Sequence, residues 1–339
     1  MNQHLEGHAN PGSDAASIRR RRGFGLLLLS VLLTATGMHL ARLALANSTP
    51  LTVTLIQGAT TFAAFFLLGW CWRQAGWTAA QLDTVRPAAL TAVFRANLRI
   101  FLPAPLLLAL NGWLVNTSMS RYGVETTAFL ANLTFVFLVL GGWLSGERTR
   151  LREVLAISLM LGGAFLFSYR GGGTAWGAIG LMSGAGAIMA GKQLLVKHVS
   201  AAAPLPVVMC AVMGLSLPWT ITLLAATGQG QWPSLRTLGF AVSAALLVSV
   251  AGMSLMYRAY HLVGVARGAP FNTLRPLFVL LIGLAFGHGV PPPLQAAGGL
   301  LILVGSLGLA LGGQRHAART PASLGMAKPG AASESRTGA

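Results

Sequence analysis

Charge is what this sequence has least of. Asp, Glu, Lys and Arg make up 9% of its 339 residues, against about 25% in a soluble domain. Acid is scarcer than base: seven Asp and Glu stand against 24 Lys and Arg, for a formal net charge of +17. That excess does not point to nucleic acid, because the bases sit singly or in short groups between apolar runs and form no basic face interleaved with aromatics. Cysteine is nearly absent. Cys71 and Cys210, both inside apolar runs, provide neither a disulfide framework nor metal-ligand spacing. Recognisable catalytic motifs are missing as well, with no H-E-x-x-H, no G-x-S-x-G and no P-loop. Gly184-Ala185-Gly186 lacks the third glycine of a dinucleotide fingerprint and lies in an apolar run. No metal, no cofactor and no enzymatic activity are expected.

What is present is apolar. Hydrophobic residues are 54% of the chain and the mean hydropathy is +0.66, the composition of an all-α integral membrane protein. A span needs roughly 20 apolar residues, and the chain offers about ten such stretches, near 23–46, 51–72, 99–120, 123–145, 152–169, 175–197, 205–226, 237–257, 264–287 and 294–313. Residues 1–22, polar and then basic at Arg19–Arg22, are expected to form a disordered N-terminal tail, and residues 314–339 a second one. Arg21-Arg22-Gly23-Phe24 followed by Ala44-Leu45-Ala46 has the outline of a cleavable signal, but its apolar stretch is of span length and carries His39 and Arg42. A retained first span is therefore expected. With a cytoplasmic N-terminus, 18 Lys and Arg fall inside, three outside (Arg121, Arg170 and Arg236) and three within spans. This asymmetry predicts an inner (plasma) membrane protein with both termini cytoplasmic.

Residues 123–147 and 264–288 read as one segment written twice. GVETTAFLANLTFVFLVLGGWLSGE and GVARGAPFNTLRPLFVLLIGLAFGH align without a gap, 141 residues apart, with eight identities in 25 positions. The starts of the two halves also correspond, Gly37 and Pro50 with Gly191 and Pro204, at an offset of 154. Residue 123 begins the fourth expected span and residue 264 the ninth. An odd number of spans separates them, so the halves, 23–170 and 174–313, are expected to be inverted five-helix repeats.

The residues that carry a family resemblance are the small-residue entry to the fourth span, its central aromatic or proline, the closing SGERTR at 145–150 and the Gly-Gly span LMLGGAFLF. Together they resemble the EamA-type members of the drug/metabolite transporter superfamily, over about residues 23–313. The resemblance implies ten-span inner-membrane carriers that move small organic solutes such as amino acids, metabolites or drugs, often outward. The chain departs from that pattern at His288, where a second Gly-Glu would end, at Gln57 in place of an early basic residue, and at Thr134-Phe135 in place of a proline that the second half keeps as Pro276.

Arg275 is the sharpest candidate residue. It lies 11 residues from one end of its expected span and 12 from the other, near the bilayer midplane, where an arginine costs at least about 2.5 kcal/mol. Two readings stand open: a cation facing a cavity and substrate, or a structural arginine bonded to carbonyls that Pro276 frees. Asn272, three residues earlier, shares its face, and Thr127, Ala131 and Thr134 form the matching stripe of the fourth span. Asn111 and Asn116 are expected as cavity donors or as helix-to-helix bonds. Glu125, half a turn round from Thr134 and about 14 Å along the axis, is either an interfacial carboxylate paired with Arg121 or Arg170, or a gating or proton-responsive acid. His39 is a candidate for proton coupling, while Arg42 and Lys192 are expected to snorkel to opposite faces. Glu147 and Arg148 read as a structural ion pair at a turn. Gly180, Ser183, Gly184, Ala187 and Gly191, and the pair Gly308 and Gly312, read as close helix packing.

These residues lead to the expectation of an alternating-access carrier, sufficient as a monomer though a homodimer is open. Its partners would be the lipid bilayer and a small-molecule substrate, with a tilt toward a solute bearing an anionic group. The rival expectation is a polytopic membrane protein that transports nothing, either a helper subunit or a motif-less membrane enzyme.

Overall fold

The computed structural model describes residues 11–74, 103–144, 151–169, 175–200, 205–263, 271–287 and 289–317. Among them there is no β-strand, and helix occupies each stretch in which a span was expected. The helices are α1 (Pro11–Leu45), α2 (Pro50–Gln74), α3 (Pro103–Tyr122) and α4 (Val124–Leu130). A 3-10 turn (Ala131–Leu133) joins α4 to α5 (Thr134–Leu144). Then come α6 (Leu151–Ser168), α7 (Trp176–Ser200), α8 (Leu205–Thr227) and α9 (Leu235–Ala245). A π-helical stretch (Leu246–Gly252) leads into α10 (Met253–Val263), followed by α11 (Arg275–Ala285) and α12 (Pro293–Ala317).

Proline opens four of these helices, at Pro11, Pro50, Pro103 and Pro293. The first helical position asks for no N–H and a φ near that of the ring. At the N-terminus helix begins at Pro11, inside the stretch expected as a tail. Asp14 near the start and the alanines and arginines that follow suit a helix. At α9 a side chain does the capping: Ser234 Oγ accepts from the Thr237 N–H at 3.1 Å.

Among the described residues, six helical stretches are long and apolar enough to cross a membrane: Arg21–Leu45, Pro50–Leu68, Val124–Leu144, Leu151–Ser168, Cys210–Thr227 and Leu235–Tyr260. Arg275–Ala285 and Pro293–Leu309 are apolar but shorter. α3 falls outside this group because its second half, Asn111 to Ser120, is polar, and that polar side is turned inward, with Asn116, Thr117 and Ser118 buried. The outward faces are apolar, as at Leu144, Leu155, Phe286 and Leu300, the reverse of a soluble protein and what hydrocarbon favours.

The packing exchanges the two halves of the chain. α1 packs along α9, the π-stretch and α10, and α7 packs along α3. α1 also meets α11, and α7 meets α5; α2 meets α9, and α8 meets α3. The pairs α2/α8, α4/α11 and α6/α12 each map onto themselves under the same exchange. Single residues keep the correspondence. A Cβ on Gly23 would strike Val263 Cγ1, and one on Gly177 would strike the Tyr122 hydroxyl. Gly23 and Gly177 are 154 residues apart, and Tyr122 and Val263 are 141 apart, the two offsets of the sequence repeat.

Small residues allow the closest approaches, though not always those the sequence suggested. At α6/α12 a Cβ on Gly298 would lie 2.7 Å from the Gly163 carbonyl oxygen, and one on Gly305 would lie 2.6 Å from that of Ala156. Gly308 has only an ordinary contact to Ala156 at 3.7 Å. On α7 the tight positions are Gly177 and Gly186, whereas Gly180 and Gly191 face open space.

Candidate functional site

The doubled segment is interrupted at the same step in both copies. In the first, α4 gives way to the 3-10 turn at residues 131–133 before α5 starts at Thr134. In the second, helix at residues 271–272 breaks into a turn at 273–274 before α11 starts at Arg275. Adding 141 to Thr134 gives Arg275, so the breaks superpose in register. Their severity differs for a chemical reason. Pro276 has no N–H and removes the hydrogen bond to the Asn272 carbonyl. The first copy has Phe135 there, which donates normally and only tightens the helix.

Arg275 occupies the break of the second half. Its side chain is half-buried and its Nε is wholly shielded, without a hydrogen-bond partner. Nε is therefore not bonded to a carbonyl freed by Pro276. Behind it, Asn272 Nδ2 donates to the Tyr260 hydroxyl at 2.7 Å and lies 3.4 Å from Met256 Sδ, which ties the break to α10. Thr134, the counterpart of Arg275, is half-buried, and the backbone there is pressed by α7, where a Cβ on Gly186 would lie 3.1 Å from Thr134 N. Two residues earlier, Asn132 is 6% exposed and its Nδ2 has no partner.

Thr127 does not line open space. It is fully buried, its hydroxyl 2.9 Å from Ser118 Oγ and donating to the Gly123 carbonyl at 2.9 Å, so it fastens α4 to α3. Asn116, 3% exposed, donates to Thr54 Oγ1 at 2.8 Å and to Gln57 Oε1 at 3.3 Å, which makes Gln57 part of a polar cluster between α2 and α3. Asn111, half-buried on the same helix, is not part of that cluster.

At the end where α1 finishes, three elements converge. Glu125 pairs with Arg42, Oε2 to Nη1 at 3.5 Å. The expected partners were Arg121 and Arg170, of which Arg170 lies outside the described residues. The cause is local: Gly123 adopts φ 93°, a left-handed turn open to glycine, and this reverses α3 into α4 so that Glu125 faces the last turn of α1. The acid then sits at a helix N-terminus and the base at a helix C-terminus, where the helix dipoles favour each. Arg42 is thus held by an ion pair rather than snorkelling alone. His39, one turn earlier and 6% exposed, bonds the Val279 carbonyl oxygen through Nε2 at 2.9 Å. A carbonyl only accepts, so Nε2 carries the proton. α1 is thereby tied to α4 and α11, the paired elements of the two halves. Val124, Ala128 and Val279, all buried in one cluster with Ala41 and Ala44, seal this end.

Lys192, eight residues before the end of α7, is half-buried. Glu147 and Arg148, expected as an ion pair, and His288 lie outside the described residues. Sequence reasoning passed over Asn132 and Tyr260. Asn132 had a signal, since it pairs with Thr273 across the repeat beside Thr134/Arg275. Tyr260 had none, because only folding brings α10 to the break.

No family model and no curated protein matches this chain. A solved crystal structure, of a protein with no more specific description, is similar over 89% of this chain and 99% of its own, with a TM-score of 0.57 at 17% sequence identity. At that identity the likeness speaks for the fold alone. It extends across both halves, so the arrangement is one that another chain adopts over its full length.

Proposed function

We propose that this chain is a secondary carrier that moves a small organic solute across the inner membrane by alternating access. In this reading it has ten spans in two inverted five-helix halves, with both termini cytoplasmic, like the EamA-type drug/metabolite transporters it resembles. The observation that carries the reading is the pair of helix breaks at equivalent steps of the doubled segment, within a packing pattern that exchanges the halves. Carriers built from repeats place their sites at such breaks, where unwound backbone and half-helix ends face the solute at the midplane. One state then has α4 and α11 packed together at the α1 end, held by His39 and the Arg42–Glu125 pair. The other state parts them there.

Reconstitution of the purified protein in liposomes tests this, with labelled pools of amino acids and organic acids as probes. A carrier gives saturable flux and counterflow for at least one probe. A helper subunit or a membrane enzyme gives neither, and that result ends the carrier reading. Accumulation of a metabolite inside a deletion strain would set the direction as export. Proton coupling through His39 and Glu125 is a separate clause of the proposal, and flux indifferent to an imposed pH gradient removes it.

A further inference from the structure

The centre of the doubled segment holds nitrogen donors that the protein leaves unsatisfied. Arg275 Nε and Asn132 Nδ2 are both shielded from solvent and both lack a hydrogen-bond partner. They belong to the two breaks, one from each half, two residues apart in repeat register. A buried donor without an acceptor costs about 1–3 kcal/mol, and more when it is charged. Of the acids whose side chains are described, none compensates Arg275. Glu125 is engaged by Arg42 at one helix end, and Glu153 sits in the first turn of α6.

The missing partner is therefore an acceptor that carries negative charge. The Arg275 guanidinium carries one positive charge, which a single carboxylate balances. Nε together with its neighbouring Nη forms a planar two-donor edge that matches the two oxygens of a carboxylate. Asn272, three residues before Arg275, is fixed by its 2.7 Å bond to the Tyr260 hydroxyl. We propose that Arg275 and Asn132 are the anion-recognising part of the transport site and select small organic monocarboxylates. This rests on the carrier reading above and adds the substrate class to it.

The test is ligand-induced thermal stabilisation of the purified full-length protein, with benzoate, acetate and lactate as probes, and benzamide, chloride and inorganic phosphate as comparisons. At millimolar concentration at least one monocarboxylate is expected to raise Tm by several degrees, while benzamide, chloride and phosphate do not. Arg275→Gln is expected to abolish the shift. It should leave the ligand-free Tm unchanged or higher, since an uncompensated buried charge has gone, and this separates lost binding from lost folding. Asn132→Ala is expected to weaken binding about tenfold. Arg236→Gln, which removes one charge from a helix start far from the break in sequence, should bind like wild type. The proposal is overturned if no monocarboxylate shifts Tm, if benzamide or chloride shifts it equally, or if Arg275→Gln retains the shift. Carboxylate binding without flux would remove the carrier reading and leave this site standing. Flux of uncharged solutes without carboxylate binding would do the reverse.

Discussion

Neutralising the Arg42–Glu125 pair should loosen the end of the bundle where α1, α4 and α11 converge, and by an amount that can be worked out. Two unit charges 3.5 Å apart attract by about 1 kcal/mol at the dielectric of water and by about 5 kcal/mol at an effective value of 20. Arg42 is 43% exposed and Glu125 21%, so the solvent-screened limit governs, and exposed pairs measure about 0.2–1 kcal/mol. Taking about 0.5–1 kcal/mol, the closed state at this end should lose a factor of about 2–5 relative to the open one. A cysteine at Ala128, buried under the pair at 2% exposure, would report opening through its rate of labelling by a membrane-impermeant maleimide, with Cys71 and Cys210 replaced. Arg42→Gln and Glu125→Gln should each raise that rate about 2–5-fold. The double variant should do no more than either alone, because each single variant already breaks the pair, and the double-mutant cycle removes the other contacts of Glu125 from the estimate. Raising the salt from 0.01 to 1 M should mimic the variants in wild type alone. A coupling of zero in the cycle, or salt dependence that survives in the double variant, would refute the assignment of this pair as a clamp.

Three further outcomes follow from the packing. Gly298→Val forces a branched side chain against the backbone of Gly163 and Phe167, where nothing flexible can give; a loss of about 1–3 kcal/mol is expected, read as a lowered Tm, and an unchanged Tm would mean that α6 and α12 do not approach so closely. Gly123→Ala puts a Cβ on a residue at φ 93°, costing about 1–2 kcal/mol, and should also raise the labelling rate at position 128 because the same turn aims Glu125. Asn116→Leu strips Thr54 and Gln57 of their shared donor and should cost about 1–3 kcal/mol of stability, whereas Asn111→Leu, outside that cluster, should cost under about 1 kcal/mol in the same melting measurement.

Much of the architecture was legible because a repeat is a statement about geometry. Offsets of 141 and 154 residues, read from matched residues in the sequence alone, recur as the physical contacts Gly23–Val263 and Gly177–Tyr122. The break beside Arg275 was legible in Pro276, since a missing N–H has one consequence in a helix wherever it occurs. The partners of polar side chains were not legible. Thr127 has the spacing of a cavity-lining residue, yet a 2.9 Å contact with Ser118 closes it off. Glu125 has Arg121 four residues before it, yet the turn at Gly123 aims it at Arg42 instead. The glycines of α7 show the same limit, because a small-residue stripe identifies a helix that can be approached closely but not the turn at which the neighbour arrives.

The sequence by itself determined that this is an apolar, helical chain with one segment written twice, that charge is excluded from most of its length, and that Arg275 is an exception that needs a reason. Those properties depend on composition and on spacing along one dimension, where hydropathy and periodicity act locally. Only the tertiary structure decided that Arg275 Nε and Asn132 Nδ2 are both left without acceptors, that Arg42 rather than Arg121 holds Glu125, and that Thr127 is spent on packing. Hydrogen bonds and ion pairs act over about 3 Å, often between residues far apart in sequence. Which donor meets which acceptor is therefore set by how the helices cross.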